Sequence, residues 1–178
     1  SPKILIYKED IDHIVGYIHT LELFRAREKW HDHIRQMPFV PETMAAQKLM
    51  QIFLGQKKSI GVVVDEFGGT SGISLEDIIE EIFGDIEDEH DNTNYIAKQT
   101  ADGDYILSGR LEIDKANELF NLGLPDSGEY KTISGLILHA YQSFPKLNEV
   151  VKVGKYHFKI VKKTMTKIEV VRLHVAEE

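Results

Sequence analysis

Ser59–Asp91, with the sequence SIGVVVDEFGGTSGISLEDIIEEIFGDIEDEHD, is the stretch that decides the fold. The β-branched run Ser59–Val64 is typical of a strand that is covered on both faces. The next residues predict a turn at Asp65–Gly69 and a returning strand at Ser71–Ser74. Leu75–Phe83 then predicts a helix with isoleucines on its apolar side. This order places a glycine-rich turn beside a helix N-terminus and indicates a module that binds rather than one that catalyses.

Composition excludes several classes of function. The 178 residues carry 29 Asp and Glu against 21 Lys and Arg, a formal net charge of −8. This balance argues against nucleic acid as the main partner, because phosphate contacts need clustered Lys and Arg. The absence of cysteine excludes disulfides, thiol catalysis and zinc–thiolate sites. No apolar run approaches the roughly 20 residues that span a bilayer, so we expect a soluble chain or the soluble part of a membrane protein.

An internal repeat organises the first half of the chain. Strand, turn, glycine-bearing strand and helix occur at Lys3–Phe24 and again at Ser59–Phe83, with VGYIHTLEL and SGISLEDI as the corresponding cores. The second copy has a leading helix, predicted over Thr43–Leu54 after an extended entry at Phe39–Glu42, with Pro41 suited to its first turn. The first copy lacks one, so we expect the chain to start inside its first repeat.

An acidic run at Asp85–Asp91 marks a predicted domain boundary, and the residues beyond it predict an α+β unit. The predicted strands are Tyr95–Gln99, Asp104–Ser108, Glu149–Val153, Tyr156–Thr164 and Lys167–Val175, and the predicted helices are Ile113–Phe120 and Lys131–Tyr141.

These motifs resemble one family over nearly the whole chain. The repeats resemble a tandem pair of cystathionine-β-synthase (CBS) domains, and FVPE, VVVDEFGGTSG and LEDIIEEIFGDIEDEHD resemble the CBS region of the CorC/hemolysin C family. The segments YILSGRLEID, LPDSGEYKTISGLILH and FPKLNEVVKVGKYHFKIV resemble the transporter-associated domain that follows the CBS pair in that family.

The resemblance implies an α+β fold in three parts. Residues 1–34 would be a partial first CBS domain, residues 35–91 the second CBS domain with an acidic linker, and residues 92–178 the transporter-associated domain. It further implies a homodimer formed through the CBS domains, on the cytoplasmic face of the plasma membrane. The dimer would regulate the protein's own transmembrane domain, which is absent from this chain and moves Mg²⁺ or Co²⁺. No enzymatic activity and no nucleic-acid partner are expected.

The family also implies ligands. CBS pairs bind adenine nucleotides, so AMP or Mg²⁺-dependent ATP binding is expected. The transporter-associated domain is similar in fold to part of a flavin-binding domain, which suggests FAD by analogy alone. Two alternatives therefore remain beside nucleotide sensing: a structural dimerisation module without a ligand, and a flavin-binding C-terminal domain.

The second repeat offers Gly72, Ser74 and Asp77 as candidate nucleotide-binding residues. The family's motif is Gly, two apolar residues, Ser or Thr, two residues of any kind, then Asp, and this chain is one residue short between Gly72 and Ser74. Ser74 precedes a predicted helix, whose N-terminus favours anions. The same S-x-x-D spacing also predicts a capping box, which needs no ligand. Both interpretations stay open.

The first repeat keeps the spacing but changes the chemistry. Gly16, Thr20 and Glu22 are its candidate nucleotide-binding residues, with Glu22 in place of the motif's Asp and His19 in place of its hydroxyl residue. An ordinary strand–helix junction is the alternative.

The remaining features favour structural roles. The segment Asp65–Gly72 joins two strands, so it predicts a hairpin turn rather than a phosphate loop, which would open a helix. The acidic run Asp85–Asp91 predicts a solvated helix exit with at most weak screening by Mg²⁺. The histidines follow no metal-ligand spacing, and no catalytic serine or histidine arrangement occurs, so neither a metal site nor a catalytic site is expected.

Overall fold

Residues 3–7, 14–20, 25, 29–84 and 94–177 are described by the computed structural model, and they form a mixed α/β fold. The strands are β1 (Lys3–Tyr7), β2 (Ile14–His19), β3 (Phe39–Pro41), β4 (Ile60–Val64), β5 (Thr70–Ser74), β6 (Ala97–Gln99), β7 (Tyr105–Ser108), β8 (Val150–Val153), β9 (Tyr156–Lys163) and β10 (Ile168–Val175). The helices are α1 (Ala46–Gln56), α2 (Leu75–Phe83), α3 (Ile113–Phe120) and α4 (Ile133–Tyr141), with a 3₁₀ turn at Trp30–His33.

Both predicted repeats contain an antiparallel strand pair. In the first, β1 pairs with β2 from Lys3↔His19 to Tyr7↔Ile14, with a bulge at its far end. In the second, β4 pairs with β5, and β3 adds a parallel strand on the other side of β4. The two pairs therefore belong to separate sheets, one of two strands and one of three.

Strand β4 is covered on both faces, as its β-branched sequence predicts. Val62 is fully buried in a small cluster with Tyr17 of the first repeat and Met37. Val63, one residue later, points to the opposite face and is buried in the main core. Because neighbouring side chains on a strand alternate between faces, β4 joins the first repeat to the main core.

The C-terminal half is built on a five-stranded sheet in the order β6-β7-β10-β9-β8. Every neighbouring pair is antiparallel. Strand β9 alternates buried Tyr156, Phe158 and Ile160 with more exposed residues, as expected for a sheet with one covered face. The buried side joins the same continuous core that contains α1, β4 and α2.

The N-terminus of α1 differs from its prediction. The sequence suggests a helix from Thr43 with Pro41 in its first turn, but Pro41 ends β3 opposite Val64 and the helix begins at Ala46. Proline lacks an N–H and is tolerated on an edge strand, and β3 is an edge strand. The Glu42 N–H then donates to the Val64 carbonyl at 2.9 Å, and a turn closed by the Met44 N–H donating to the Pro41 carbonyl at 3.0 Å separates the strand from the helix.

Two predicted features lie outside the described residues. The helix predicted at the end of the first repeat, Lys3–Phe24, falls largely on residues that are not described, and the acidic run Asp85–Asp91 falls on them entirely. The predicted division at residues 34 and 91 stays a prediction. Elsewhere the elements agree closely: α2 and α3 have the predicted bounds, and α4 begins two residues after its predicted start at Lys131.

Gly135 lets α4 approach α2 closely. A Cβ at this position would lie 2.5 Å from the Ile82 carbonyl oxygen and 2.9 Å from the Tyr130 Cβ. We predict that Gly135→Ala lowers the free energy of unfolding by about 2 kcal/mol, because the clash outweighs alanine's better helix propensity. Denaturant unfolding measures the change.

Gly55→Ala is the matched control, since Gly55 also lies in a helix but has open space around its Cβ direction. There we expect a gain of roughly 0.5–1 kcal/mol from helix propensity alone. Equal effects of the two substitutions would contradict close packing at Gly135.

Candidate functional site

The N-terminus of α2 carries a complete capping box. The Asp77 N–H donates to the Ser74 hydroxyl at 3.0 Å, and the Ser74 N–H donates to the Asp77 carboxylate at 3.4 Å. These bonds satisfy two backbone donors at the junction of β5 and α2. The capping interpretation of S-x-x-D is therefore confirmed.

Capping leaves both side chains able to form further bonds. The Ser74 oxygen accepts a hydrogen bond in the cap, and within the described residues its own O–H remains available as a donor. The other carboxylate oxygen of Asp77 lies 4.0 Å from the Lys167 Nζ, and a carboxylate can accept about four hydrogen bonds in all. A phosphate contact at Ser74 and a ribose contact at Asp77 are thus chemically compatible with the cap.

Both glycines of the predicted nucleotide motifs also have a packing role. A Cβ at Gly16 would lie 2.5 Å from the Ile34 Cγ2 and 2.6 Å from the Arg35 carbonyl oxygen. A Cβ at Gly72 would lie 3.1 Å from the Leu5 Cδ1. Because Leu5 belongs to β1, its contact with Gly72 of β5 brings the two repeats together.

The candidate residues of the first repeat lie at the end of β2. Gly16 is within β2, Thr20 follows its last residue and is partly buried, and Glu22 is outside the described residues. Between them, His19 has a feature that sequence reasoning did not find. Within the described residues its Nδ1 is a buried atom with no hydrogen-bond partner. A buried unpartnered nitrogen costs about 1–3 kcal/mol, so a polar partner for this atom would be stabilising.

Asp65–Gly69 forms the predicted hairpin turn. The Asp65 carboxylate accepts from the Phe67 N–H at 2.9 Å and the Gly69 N–H at 2.7 Å. Gly68 has φ +81°, a left-handed conformation that favours glycine. The glycines therefore serve the turn, and its own carboxylate occupies the N–H groups that a phosphate would need.

A second polar site, absent from the sequence-based predictions, lies at the other end of α2. The Glu81 side chain is only 8% exposed. Its carboxyl accepts hydrogen bonds from the Ser134 hydroxyl and from the Ile168 N–H, the latter at 2.6 Å. Burial raises the pKa of Glu81 from 4.5 to about 7, although both donors and Lys167 oppose the rise.

The sequence carried a signal for this buried carboxyl. Ile78, Glu81 and Ile82 follow the three- and four-residue spacing of the apolar face of α2, so Glu81 interrupts that face. Its partners lie 53 and 87 residues away along the chain, so the pattern alone does not identify them.

A surface cleft of about 370 Å³ in the C-terminal half bears on the flavin interpretation. Among the described residues, its lining includes the carboxylates of Glu112, Asp114 and Asp126 against the single cation Lys131. A flavin dinucleotide would bring a doubly charged pyrophosphate, which binds cations and helix N-termini rather than clustered carboxylates. The residues of this cleft do not fit FAD.

Comparison with known proteins identifies relatives of this chain. Residues 98–177 match the model of the CorC_HlyC transporter associated domain. The chain is 36% identical to hemolysin C of Brachyspira hyodysenteriae, over 97% of this chain and 67% of that protein. It is 29% identical to the magnesium and cobalt efflux protein CorC of Pasteurella multocida, over 97% of this chain and 60% of that protein.

The chain belongs to the CorC/hemolysin C family. It spans about two thirds of the Brachyspira relative and somewhat less of the Pasteurella protein. Within the described part of the CorC-family chain, no helix is both long and apolar enough to cross a membrane.

A solved structure is also similar to part of the chain. It is the CBS domain of a bacterial CNNM/CorC family Mg²⁺ transporter in complex with ATP, 37% identical, covering 47% of this chain and 65% of the other, with a TM-score of 0.42.

Removing the Ser74 hydroxyl tests the cap. We predict that Ser74→Ala lowers the free energy of unfolding by about 1 kcal/mol, because the Asp77 N–H loses its acceptor. Denaturant unfolding measures the loss. Glu76→Ala, at an exposed position of the same turn, is the control and should change stability less. An equal loss in both variants would argue against the capping role.

Proposed function

We propose that this chain is a nucleotide-sensing regulatory module of a CorC-type membrane protein that moves divalent cations. An adenine nucleotide, AMP or Mg²⁺-bound ATP, would bind between the two repeats and shift the arrangement of a dimer on the cytoplasmic side of the plasma membrane. The two repeats would act as a tandem CBS pair. Family membership supports the setting, since relatives include proteins named for magnesium and cobalt efflux.

The observation that carries the nucleotide part is the buried Nδ1 of His19. It occupies the position where the family's motif has a hydroxyl, and the described residues give it no hydrogen-bond partner. An imidazole nitrogen donates or accepts according to its tautomer, so it suits a ribose hydroxyl or an adenine ring nitrogen. Ser74 would supply a donor to phosphate and Asp77 an acceptor to ribose from the second repeat.

Charge explains the expected dependence on Mg²⁺. The chain has a net charge of −8, and Asp77 lies at the proposed site with a half-exposed carboxylate. A triphosphate brought to this surface is repelled unless a divalent cation neutralises it. AMP, with less charge, should depend on Mg²⁺ less than ATP does.

Thermal melting with AMP, ADP or ATP, with and without Mg²⁺, tests binding. At 100 times the dissociation constant a ligand stabilises the native state by about 2.7 kcal/mol, which corresponds to a rise in Tm of roughly 5–10 °C. The absence of any shift at millimolar nucleotide would overturn the nucleotide proposal.

Two substitutions locate the ligand. Ser74→Asp retains a good N-cap but places a carboxylate where the phosphate would bind, so we expect normal stability and a lost nucleotide response. His19→Phe should remove the response without destabilising the free protein, because the unpartnered nitrogen is removed. Full nucleotide responses in both variants would place the ligand elsewhere.

The alternative is a dimerisation module without a ligand. Two exposed apolar side chains favour a protein contact at the second repeat: Phe39 on edge strand β3 is 51% exposed and Leu54 on α1 is 60% exposed. A dimer mass in sedimentation experiments, together with unchanged melting in every nucleotide, would favour this alternative over sensing.

A further inference from the structure

Glu81 is a buried carboxyl that links the second repeat to the C-terminal half. It belongs to the last turn of α2, but its hydrogen-bond partners are Ser134 on α4 and the backbone N–H of Ile168 on β10. With 8% of its surface exposed, the side chain has almost no contact with water. It returns to water only if α2 separates from both of these elements.

Backbone contacts hold the same junction closed. The N–H groups of Lys131 and Thr132 donate to the Ile82 carbonyl at 2.9 and 3.2 Å. The Thr132 hydroxyl lies 2.5 Å from the Glu81 carbonyl oxygen. The environment of the Glu81 carboxyl is therefore fixed by neighbouring bonds and does not depend on one flexible side chain.

Among the described residues, few charges act on this carboxyl. Lys167, immediately before β10, stabilises its ionised form, and Glu169, within β10, opposes ionisation. Lys167 also faces Asp77 at 4.0 Å, and Glu169 is paired with Lys162 at 3.4 Å. Each of these neighbours therefore also interacts with another charge. The loss of hydration remains the largest influence on the pKa of Glu81.

The other elements packed on α2 add little charge at this point. On α4, His139 is held by Glu129 at 2.6 Å and Tyr141 by Glu149. On α1 the charged side chain is Lys48, which is exposed, and β5 carries no titratable side chain.

We propose that Glu81 makes the contact between α2 and the C-terminal half sensitive to protons: the carboxyl holds a proton while the contact is closed and releases it when α2 separates. This input is distinct from the nucleotide and acts at the opposite end of the same helix. The helix rises about 1.5 Å per residue, so Glu81 lies roughly 10 Å along the helix axis from Ser74.

The direction of the pH effect follows from burial. Burial raises the pKa of Glu81 to about 7 in the folded chain, against 4.5 when it is exposed. Below the lower value both states are protonated and the closed contact has its full stability. Between the two values the exposed form has lost its proton while the closed form keeps it, so rising pH favours separation. The closed contact is thus strongest in acid and weakest above neutrality.

The experiment compares the wild-type chain with Glu81→Gln, which resembles the protonated carboxyl and does not titrate. Denaturant unfolding from about pH 5 to pH 8 should show the wild-type folding constant falling by up to about 100-fold more than that of Glu81→Gln. Glu80→Gln, at the adjacent exposed position, should retain the wild-type pH dependence. Identical profiles for the wild type and Glu81→Gln would overturn the proposal.

Carbon NMR of the side-chain carboxyls tests the same proposal without relying on a variant that must fold. The Glu81 resonance should titrate near neutrality in the wild-type chain, and Ser134→Ala should move its midpoint to higher pH because a donor to the ionised form is lost. Titration of Glu81 near its ordinary value of 4.5 would overturn the proposal.

Discussion

The carbonyl groups in the last turn of α2 accept hydrogen bonds from the other half of the chain. A helix leaves its final carbonyl groups without intrahelical partners, and here the Glu81 and Ile82 carbonyls face the Thr132 hydroxyl and the N–H groups of Lys131 and Thr132. The same hydroxyl accepts from the Gly135 N–H at 2.9 Å and so caps the start of α4. One threonine thus serves two helix ends, and the packing of the second repeat on the C-terminal half depends on this junction.

Helix α2 consequently connects two different chemical sites. Its first residues form the capping box with Ser74, where a nucleotide phosphate is proposed to bind, and its last turn carries the buried Glu81. A helix is a rigid element, and rigid elements with distinct contacts at each end can transmit a change between sites when both contacts favour the same arrangement. Lys167 strengthens this link, since it lies near Asp77 at one end and acts on Glu81 at the other.

Local patterns predicted most of the elements because they depend on neighbouring residues. Strand β9, the β-branched run of β4 and the S-x-x-D cap of α2 can each be recognised from residue types within a short window, and each formed where predicted. The prediction for Pro41 was wrong because pairing with Val64 extended the strand, and that pairing joins residues 23 positions apart. Glu81 was missed for the same reason, as its partners come from distant parts of the chain.

The sequence by itself determined the family, the strand–turn–strand–helix order of Ser59–Phe83 and the absence of thiol chemistry, because these depend on residue identity and local spacing. Only the tertiary structure decided what surrounds each polar group. It buried His19 Nδ1 without a partner among the described residues and enclosed Glu81 between α4 and β10. Hydrogen bonding and desolvation depend on which distant residues come into contact in the fold, and those contacts set the chemistry of both groups.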